Sequence, residues 1–272
     1  MRYATQWFAF EASHYYWLES WSEAENLQRF GRTTRHHGHN YRVRITYRSP
    51  EGSTPVLWQK VEQQVRTRIN QEFDHRCLNR EHDHFKTHLP TTENIALYLW
   101  TALRSELEPP LESVEIYESD TLYASYHGEA KPDSSRVVLL TRQYQFSAAH
   151  RLYNPTLSEE QNRALYGKCA NPHGHGHDYR LEVTVRGVPD PITGMVINIT
   201  DLDAIVQREV LNILDHRFLN EEVPPFDTVV PTTENLVDWI VARLMPHVPP
   251  PAQLCRVCVW ETPRSSFEWR LD

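Results

Sequence analysis

The chain is an internal duplication, and this feature limits its possible folds more than any other. Five segments of the first half return in the second half in the same order. The pairs are FEASH and FSAAH, HGHNYR and HGHDYR, DHRCLN and DHRFLN, PTTEN in both halves, and IYES and VWET. The spacing between partners only grows, from 136 to 143 residues, so both copies share one order of elements with small insertions in the second.

The length of each copy predicts two domains. Either half of the 272 residues is enough for one ordinary domain. Between the halves, the polar stretch HGEAKPDSSR is typical of a linker. We therefore predict a degenerate domain at residues 1–133 and a catalytic domain at residues 134–272.

Hydrophobic patterning predicts an α+β fold for each copy. Leu181, Val183 and Val185 alternate with polar residues, as in a half-buried strand, and VPDPITGMVIN predicts a turn and a returning strand that completes a hairpin. Two amphipathic helices follow, one after Asp201 and one after Pro231, and two short strands close the copy. The expected order is ββααββ, with a four-stranded antiparallel sheet and two helices.

Composition excludes several classes of protein. A net charge of -8 argues against a nucleic-acid partner, which would require a clustered basic face. The N-terminus lacks the pattern of a secretory signal, and no apolar run approaches the roughly 18 residues of a membrane span. Four cysteines are too few for a disulfide framework. We expect a cytoplasmic protein with no membrane partner.

Three histidines of the second copy form a candidate metal site. His175 and His177 are two residues apart on a strand, so their imidazoles project to the same side, and His150 ends the neighbouring strand. Three histidines leave one tetrahedral position open, as in catalytic zinc sites. The first copy repeats the set with its own three histidines, and we expect zinc in both copies. The first-copy ligands are His14, His37 and His39.

Cys169 precedes the histidine motif and is a candidate reactive thiol. The first copy keeps the histidines but has Gly31 or Thr33 at this position, so the triad does not depend on a thiol ligand. A thiol beside a metal and histidine is a reactive group with a lowered pKa. The alternative is a small buried hydrophobic residue, but the polar loop around Cys169 is a poor apolar environment.

Other polar residues recur beside this motif. Asp215 and His216 follow a helix, where the ordinary explanation is a cation at the helix dipole; their repetition favours an acid/base role. Glu261 ends an apolar strand stripe and needs a partner, and a planar ligand edge with two N–H donors would suit it. The helix start at Thr232, Thr233 and Glu234 also has an ordinary explanation as capping.

These motifs together resemble the 6-pyruvoyl-tetrahydropterin synthase / 6-carboxytetrahydropterin synthase family. The matching stretches are FSAAHRL, YGKCANPHGHGHDY, DPITGMVIN, DLD, LDHRFLN, PTTEN and VWET. The resemblance implies the T-fold, zinc on the three histidines, Cys169 as proton acceptor, and Asp215 with His216 as a second acid/base group. It also implies that Glu261 holds the pterin edge, helped by Thr232, Thr233 and Glu234, and that the substrate is 7,8-dihydroneopterin triphosphate.

Within this family, the five residues between Cys169 and His175 favour the pyruvoyl branch over the 6-carboxy branch of queuosine biosynthesis, which usually has three. A third branch, which cuts the side chain to form a folate precursor, typically carries a glutamate near this cysteine position, and none lies between Lys168 and His175. A pterin-binding module without turnover and a barrel-type metallohydrolase are the alternatives from other classes. The intact catalytic set argues against the first, and the duplication against the second.

The duplication also predicts assembly. Closing a sheet into a barrel removes its exposed edges, so a T-fold domain should not remain alone. The resemblance implies rings of three domains that stack in pairs, which three tandem chains would supply. We expect a trimer of chains in which the first copy completes the barrel and lends Asp74, His75 or Glu118 to a shared pocket.

Overall fold

The computed structural model describes residues 1–128 and 136–271. The chain forms two compact units, one of Met1–Thr141 with Arg186–Asn198, the other of Arg142–Val185 with Ile199–Asp272. A short segment of the second copy, Arg186–Asn198, therefore packs as part of the first unit. The domain boundary expected at residue 133 lies outside the described residues and stays a prediction.

The first copy is built on a four-stranded antiparallel sheet. Alternation along the strands buries one face, as with Phe8 and Phe10, while Trp7 and Ala9 on the other face are exposed. β1 pairs with β2, β2 with β4, and β4 with β5, whereas the short β3 runs parallel to β1. The strands are β1 Tyr3–His14, β2 His37–Arg48, β3 Arg76–Cys77, β4 Leu111–Ser119 and β5 Leu122–Tyr126.

Local capping explains where the helices of the first copy begin. Ser22 and Glu25 form a capping box, and Thr54 and Thr91 each accept a hydrogen bond from a backbone N–H in the first turn of the helix that follows. The helices are α1 Glu23–Phe30, α2 Pro55–Glu72, α3 Leu78–Glu81 and α4 Thr92–Leu103, with 3-10 turns at Gly31–Thr34 and Asp83–Lys86.

The second copy repeats this order. The order of its strands across the sheet is β10, β9, β7, β6, and the short β8 pairs in parallel with β6. The strands are β6 Val138–His150, β7 His175–Gly187, β8 Arg217–Phe218, β9 Gln253–Thr262 and β10 Ser265–Arg270. The helices are α5 Glu159–Tyr166, α6 Ile199–Val206, α7 Asn212–Leu214, α8 Leu219–Glu222 and α9 Thr233–Leu244, with a π-helical turn at Gln207–Leu211 and 3-10 turns at Gly167–Ala170 and Met245–His247.

The expected ββααββ core is confirmed in both copies, with short elements added to it. The additions are α1, β3 and α3 in the first copy and α5, α7, β8 and α8 in the second, and α1 and α5 each begin at a capping box. The returning strand predicted from VPDPITGMVIN is wrong, because that segment forms turns. The Asp190 side chain accepts the N–H groups of Ile192 and Thr193, and its carbonyl accepts that of Gly194, so local bonds replace a sheet ladder.

Among the described helices, none is both long enough and apolar enough to cross a membrane.

Candidate metal centre and active site

Three imidazoles of the second copy converge at the ends of two strands. His150 ends β6, and His175 and His177 begin β7 two residues apart, so both project from the same face. One ring nitrogen of each histidine lies within 4.8 Å of the others. His150 Nε2 lies 3.2 Å from His175 Nε2. The strand positions that the sequence indicated are therefore brought together as predicted.

His150 is oriented from behind by the backbone before α9. Its Nδ1 lies 2.8 Å from the carbonyl oxygen of Pro231, so this nitrogen donates and Nε2 is left to face the other two rings. His150 is 1% exposed, and burial lowers its pKa to about 4. The ring is therefore neutral at physiological pH, the form in which histidine binds metals.

The remaining polar atoms of the cluster fit a metal ion. His177 Nε2 is buried and has no hydrogen-bond partner, and neither has His175 Nδ1. A buried polar nitrogen without a partner costs free energy unless another group satisfies it. Three imidazoles with converging nitrogens are a donor set suited to zinc.

Glu261 lies directly against the histidines. One of its carboxylate oxygens is 3.5 Å from His150 Nε2 and 3.6 Å from His177 Nε2. The side chain is one-quarter exposed and ends the buried stripe of Val257 and Val259 on β9. The carboxylate therefore faces the histidine cluster from the neighbouring strand.

Cys169 is half-buried in the 3-10 turn Gly167–Ala170, which follows α5 directly. The cysteine carbonyl accepts the N–H of Leu152 at 2.9 Å, which ties this turn to the chain just after His150. The ligand atoms grouped within 4.8 Å are the three imidazoles and do not include the cysteine sulphur. The thiol is therefore not part of the histidine cluster.

Asp215 and His216 form a hydrogen-bonded pair on the surface. The Asp215 carboxylate lies 3.0 Å from His216 Nδ1 and accepts the Ser147 N–H at 2.9 Å. The Ser147 bond, followed by the bond to His216, lowers the pKa of Asp215. His216 has a φ of 57°, a left-handed conformation that is uncommon outside glycine. Its ring lines a pocket of about 320 Å³ that His177 also lines.

The three residues at the start of α9, residues 232–234, lie in different environments. Thr232 caps α9 by accepting the Asn235 N–H, Thr233 is buried, and Glu234 is exposed. In the first copy the counterpart of Thr233, Thr92, donates to Glu118, which itself corresponds to Glu261. The counterpart of Glu234, Glu93, instead accepts a backbone N–H from Val196.

The first copy has a second histidine cluster. His14, His37 and His39 bring one ring nitrogen each within 4.8 Å of the others. His14 is fully buried, its Nδ1 lies 3.0 Å from the Pro90 carbonyl oxygen, and burial lowers its pKa to about 3. His39 Nε2 lies 3.7 Å from Glu118. This cluster reproduces the second-copy arrangement of ligands, carbonyl and carboxylate.

The structure decides which first-copy residue replaces the thiol. The turn Gly31–Thr34 follows α1 as Gly167–Ala170 follows α5, so Thr33 takes the place of Cys169. Its hydroxyl donates to the Phe30 carbonyl at 2.7 Å. Asp74 and His75 keep the paired geometry of Asp215 and His216, with a separation of 3.0 Å. The first copy therefore has every group of the site except the thiol.

Sequence reasoning missed the two carbonyl groups that orient the buried histidines. Pro90 and Pro231 hold His14 and His150 in the same way, and both belong to the repeated PTTEN segment. That repetition was the available signal. The Thr and Glu side chains of the segment predict a helix cap and a contact with the pterin edge, whereas a main-chain acceptor leaves no mark in the side-chain chemistry of a sequence.

Fold and site together define a duplicated α+β protein with a three-histidine centre in each copy and a thiol in the second. The family described as 6-pyruvoyl tetrahydropterin synthase matches residues 3–129 and again residues 139–271. Because the two matches span most of the chain, the protein belongs to this family.

Individual relatives match about half of the chain each. The 6-pyruvoyl tetrahydrobiopterin synthase of Poecilia reticulata is 48% identical over 118 residues, covering 43% of this chain and 80% of that protein. The human protein of the same name is 47% identical over 123 residues, covering 45% and 84%. A solved structure of Caenorhabditis elegans 6-pyruvoyl tetrahydropterin synthase, 37% identical, covers 51% of this chain and 98% of that one with a TM-score of 0.48.

Proposed function

We propose that the second copy is a zinc-dependent lyase that converts 7,8-dihydroneopterin triphosphate to 6-pyruvoyl tetrahydropterin with loss of triphosphate. The observation that carries this proposal is the complete set of groups in one copy. The three histidines converge, Cys169 lies on the adjoining turn, and His216, which is paired with Asp215, lines a pocket with His177. Family membership and relatives named as synthases of this kind support the same reaction.

Zinc is the metal that suits the donor set, with His150, His175 and His177 as ligands. When bound, zinc would polarise the hydroxylated side chain of the substrate and make its protons easier to remove. The first-copy triad would hold a second zinc ion in the same way. The relatives' names identify no metal, so this assignment rests on the histidine geometry.

The protein groups divide the proton transfers between them. The thiolate of Cys169 accepts one proton. Asp215 receives a hydrogen bond from His216 Nδ1, which fixes the tautomer and leaves Nε2 free to exchange another proton. Glu261 holds the guanidine-like pterin edge through two hydrogen bonds, with Thr233 beside it and with Thr232 and Glu234 supporting the helix start.

The first copy fits a different role. With Thr33 in place of the thiol, it has no group at that position that accepts a proton near neutral pH. We infer that it is a metal-binding copy without turnover, which completes the assembly. We further propose that three cytoplasmic chains form closed barrels from six domains, because open sheet edges favour such closure.

Product analysis tests this function. Purified, zinc-loaded protein is incubated with 7,8-dihydroneopterin triphosphate, and the products are identified by mass spectrometry. We expect a 6-pyruvoyl pterin and free triphosphate. A 6-carboxy product would instead assign the protein to the branch of deazapurine biosynthesis, and unchanged substrate with bound pterin would indicate a binding module.

A further inference from the structure

A charged side chain ties the turn that carries Cys169 to the chain just after His150. The Arg151 guanidinium donates from Nε to the carbonyl oxygen of Ala170 at 3.0 Å, and Ala170 is buried. A bond between backbones, from the Leu152 N–H to the Cys169 carbonyl at 2.9 Å, joins the same two segments. The arginine therefore holds the turn at the residue that follows the thiol.

The guanidinium of Arg151 is itself fixed in place. Its Nη2 donates to Glu159 at 2.7 Å, and its Cζ lies 4.1 Å from the centre of the Tyr153 ring. The side chain is 14% exposed. Asn220 holds the backbone of Arg151 by accepting its N–H and donating to its carbonyl. A planar guanidinium constrained on several sides has few alternative geometries, so it can fix the position of its acceptor.

The equivalent turn of the first copy, Gly31–Thr34, is braced from within. Thr33 and Thr34 each donate a hydroxyl to the carbonyl three residues earlier, at 2.7 and 2.8 Å. The second-copy turn has Cys169 and Ala170 at these positions, and neither side chain carries a hydroxyl. The turn with the thiol therefore cannot form this internal brace.

The arginine is as specific to the second copy as the thiol is. Tyr15 occupies the first-copy position of Arg151, and its backbone has the same pair of bonds, to Asn79, at 2.9 Å each. Its ring lies against His36, with 6.0 Å between the ring centres. The backbone anchor is thus common to both copies, whereas the group that braces the turn differs between them.

We propose that Arg151 is a positioning residue for Cys169, which it holds in place through the carbonyl of Ala170. This role rests on the proposed function, in which the thiolate of Cys169 accepts a proton. Proton transfer requires the acceptor to lie within hydrogen-bonding reach of the proton. A small displacement of the turn would therefore slow the reaction more than it would weaken substrate binding.

The kinetics of triphosphate release test this role. Arg151→Met keeps much of the side-chain volume but removes every donor, whereas Arg151→Lys keeps the charge without the planar donors. We expect kcat to fall about tenfold or more in Arg151→Met, with KM changed by less than about twofold and zinc retained. Arg151→Lys should lie between Arg151→Met and wild type.

Glu159→Gln is the matched control for these variants. It removes an exposed partner of the guanidinium but leaves the bond to Ala170, so we expect a kcat close to that of wild type. A wild-type kcat in Arg151→Met, or an equal loss in Glu159→Gln, would overturn the proposal.

A double-mutant cycle separates positioning from general damage to the fold. If Arg151 acts through the thiol, adding Arg151→Met to Cys169→Ala should change the remaining rate by less than about twofold. A further loss as large as the one in the wild-type background would show that Arg151 acts independently of Cys169, which contradicts the proposal.

Hydrogen exchange measured by mass spectrometry tests the brace without relying on the reaction. Peptides covering Gly167–Ala170 should exchange faster in Arg151→Met than in wild type, and at the wild-type rate in Glu159→Gln. Peptides covering Gly31–Thr34 are the internal reference and should exchange equally in all three proteins. Wild-type protein that releases no triphosphate would refute the proposed function. Unchanged exchange at Gly167–Ala170 in Arg151→Met would refute the brace itself.

Discussion

At the scale of single residues, the two copies differ most at one position. Cys169 and Thr33 occupy equivalent turns beside equivalent histidine clusters. A thiol can form a thiolate that accepts a proton, whereas a threonine hydroxyl forms the corresponding anion far less readily. In the proposed mechanism, this one difference would separate proton transfer from metal binding, because the histidine clusters, the carbonyl oxygens that hold His14 and His150, and the nearby carboxylates recur in both copies.

The zinc content of the purified protein tests whether both copies bind metal. We expect about two zinc ions per chain after reconstitution and dialysis, measured by elemental analysis. His175→Ala and His37→Ala should each lower the value by about one, because each removes one of three ligands from one cluster. A wild-type value that stays near one, and falls to zero in His175→Ala, would show that the first cluster does not hold zinc.

At the scale of elements, the largest difference between prediction and structure is the segment Arg186–Asn198. Both its secondary structure and the residues that pack against it differ from the sequence-based expectation. Its apolar residues suggested a strand, but Asp190 turns the backbone on itself. Met195 packs with Tyr16, Phe30 and Leu89 of the first unit. The hydrophobic pattern of a sequence indicates which residues are buried, but it does not indicate which other element packs against them.

Features that depend on local sequence patterns could be predicted, and features that depend on distant contacts could not. The strands, the two long helices of each copy and both histidine clusters follow from alternation and from the repeat, because these signals are local. The role of Glu93 does not, since an identical PTTEN segment leaves Glu234 exposed. Its environment depends on a residue 103 positions away, Val196.

Burial of Glu93 should make the stability of the first unit depend on pH. Burial raises the pKa of Glu93 to about 7, so the folded state holds its proton more tightly than the unfolded state. Stability is therefore lost as the pH rises from about 4.5 to about 7. Glu93→Gln should be more stable than wild type by up to about 3 kcal/mol at pH 8, and by little at pH 4.5.

Urea unfolding at both pH values measures this difference, with Glu108→Gln as the control at an exposed glutamate. The pH-dependent gain should appear only in Glu93→Gln. A gain of the same size at pH 4.5 and pH 8 would refute the titration of Glu93.

Gly194 provides a test of the same contact that does not depend on pH. Gly194→Ala places a methyl group against Asn94 at a φ of 68°, so we expect a cost of about 2 kcal/mol or more. Gly31→Ala is the matched control, because its φ is 55° and its Cβ position is open. Denaturant unfolding should show a clearly larger loss for Gly194→Ala. Equal losses would mean that backbone strain alone accounts for the effect.

At the scale of the whole molecule, the duplication makes the copies dependent on each other. Met195, Val196 and Ile197 belong to the second copy in sequence but are buried in the first unit. The first copy therefore covers apolar residues of the second-copy sequence, whether or not it catalyses a reaction.

Residues 134–272 expressed alone should consequently be less soluble than the full chain. The fragment would expose the apolar residues of Arg186–Asn198 that the first unit covers, which favours aggregation. Sedimentation of freshly expressed protein measures this directly. A soluble fragment with the full activity of the chain would show that the first copy is dispensable.

The central claim is that the second copy carries out the reaction through Cys169 beside a zinc centre, and the rate of triphosphate release tests it most directly. The rate per chain is measured with 7,8-dihydroneopterin triphosphate for wild type, Cys169→Ala and Thr33→Ala, together with the zinc content of each. We predict a loss of about a hundredfold or more in Cys169→Ala with zinc retained, and a wild-type rate in Thr33→Ala. A wild-type rate in Cys169→Ala, or loss of zinc from it, would contradict the account.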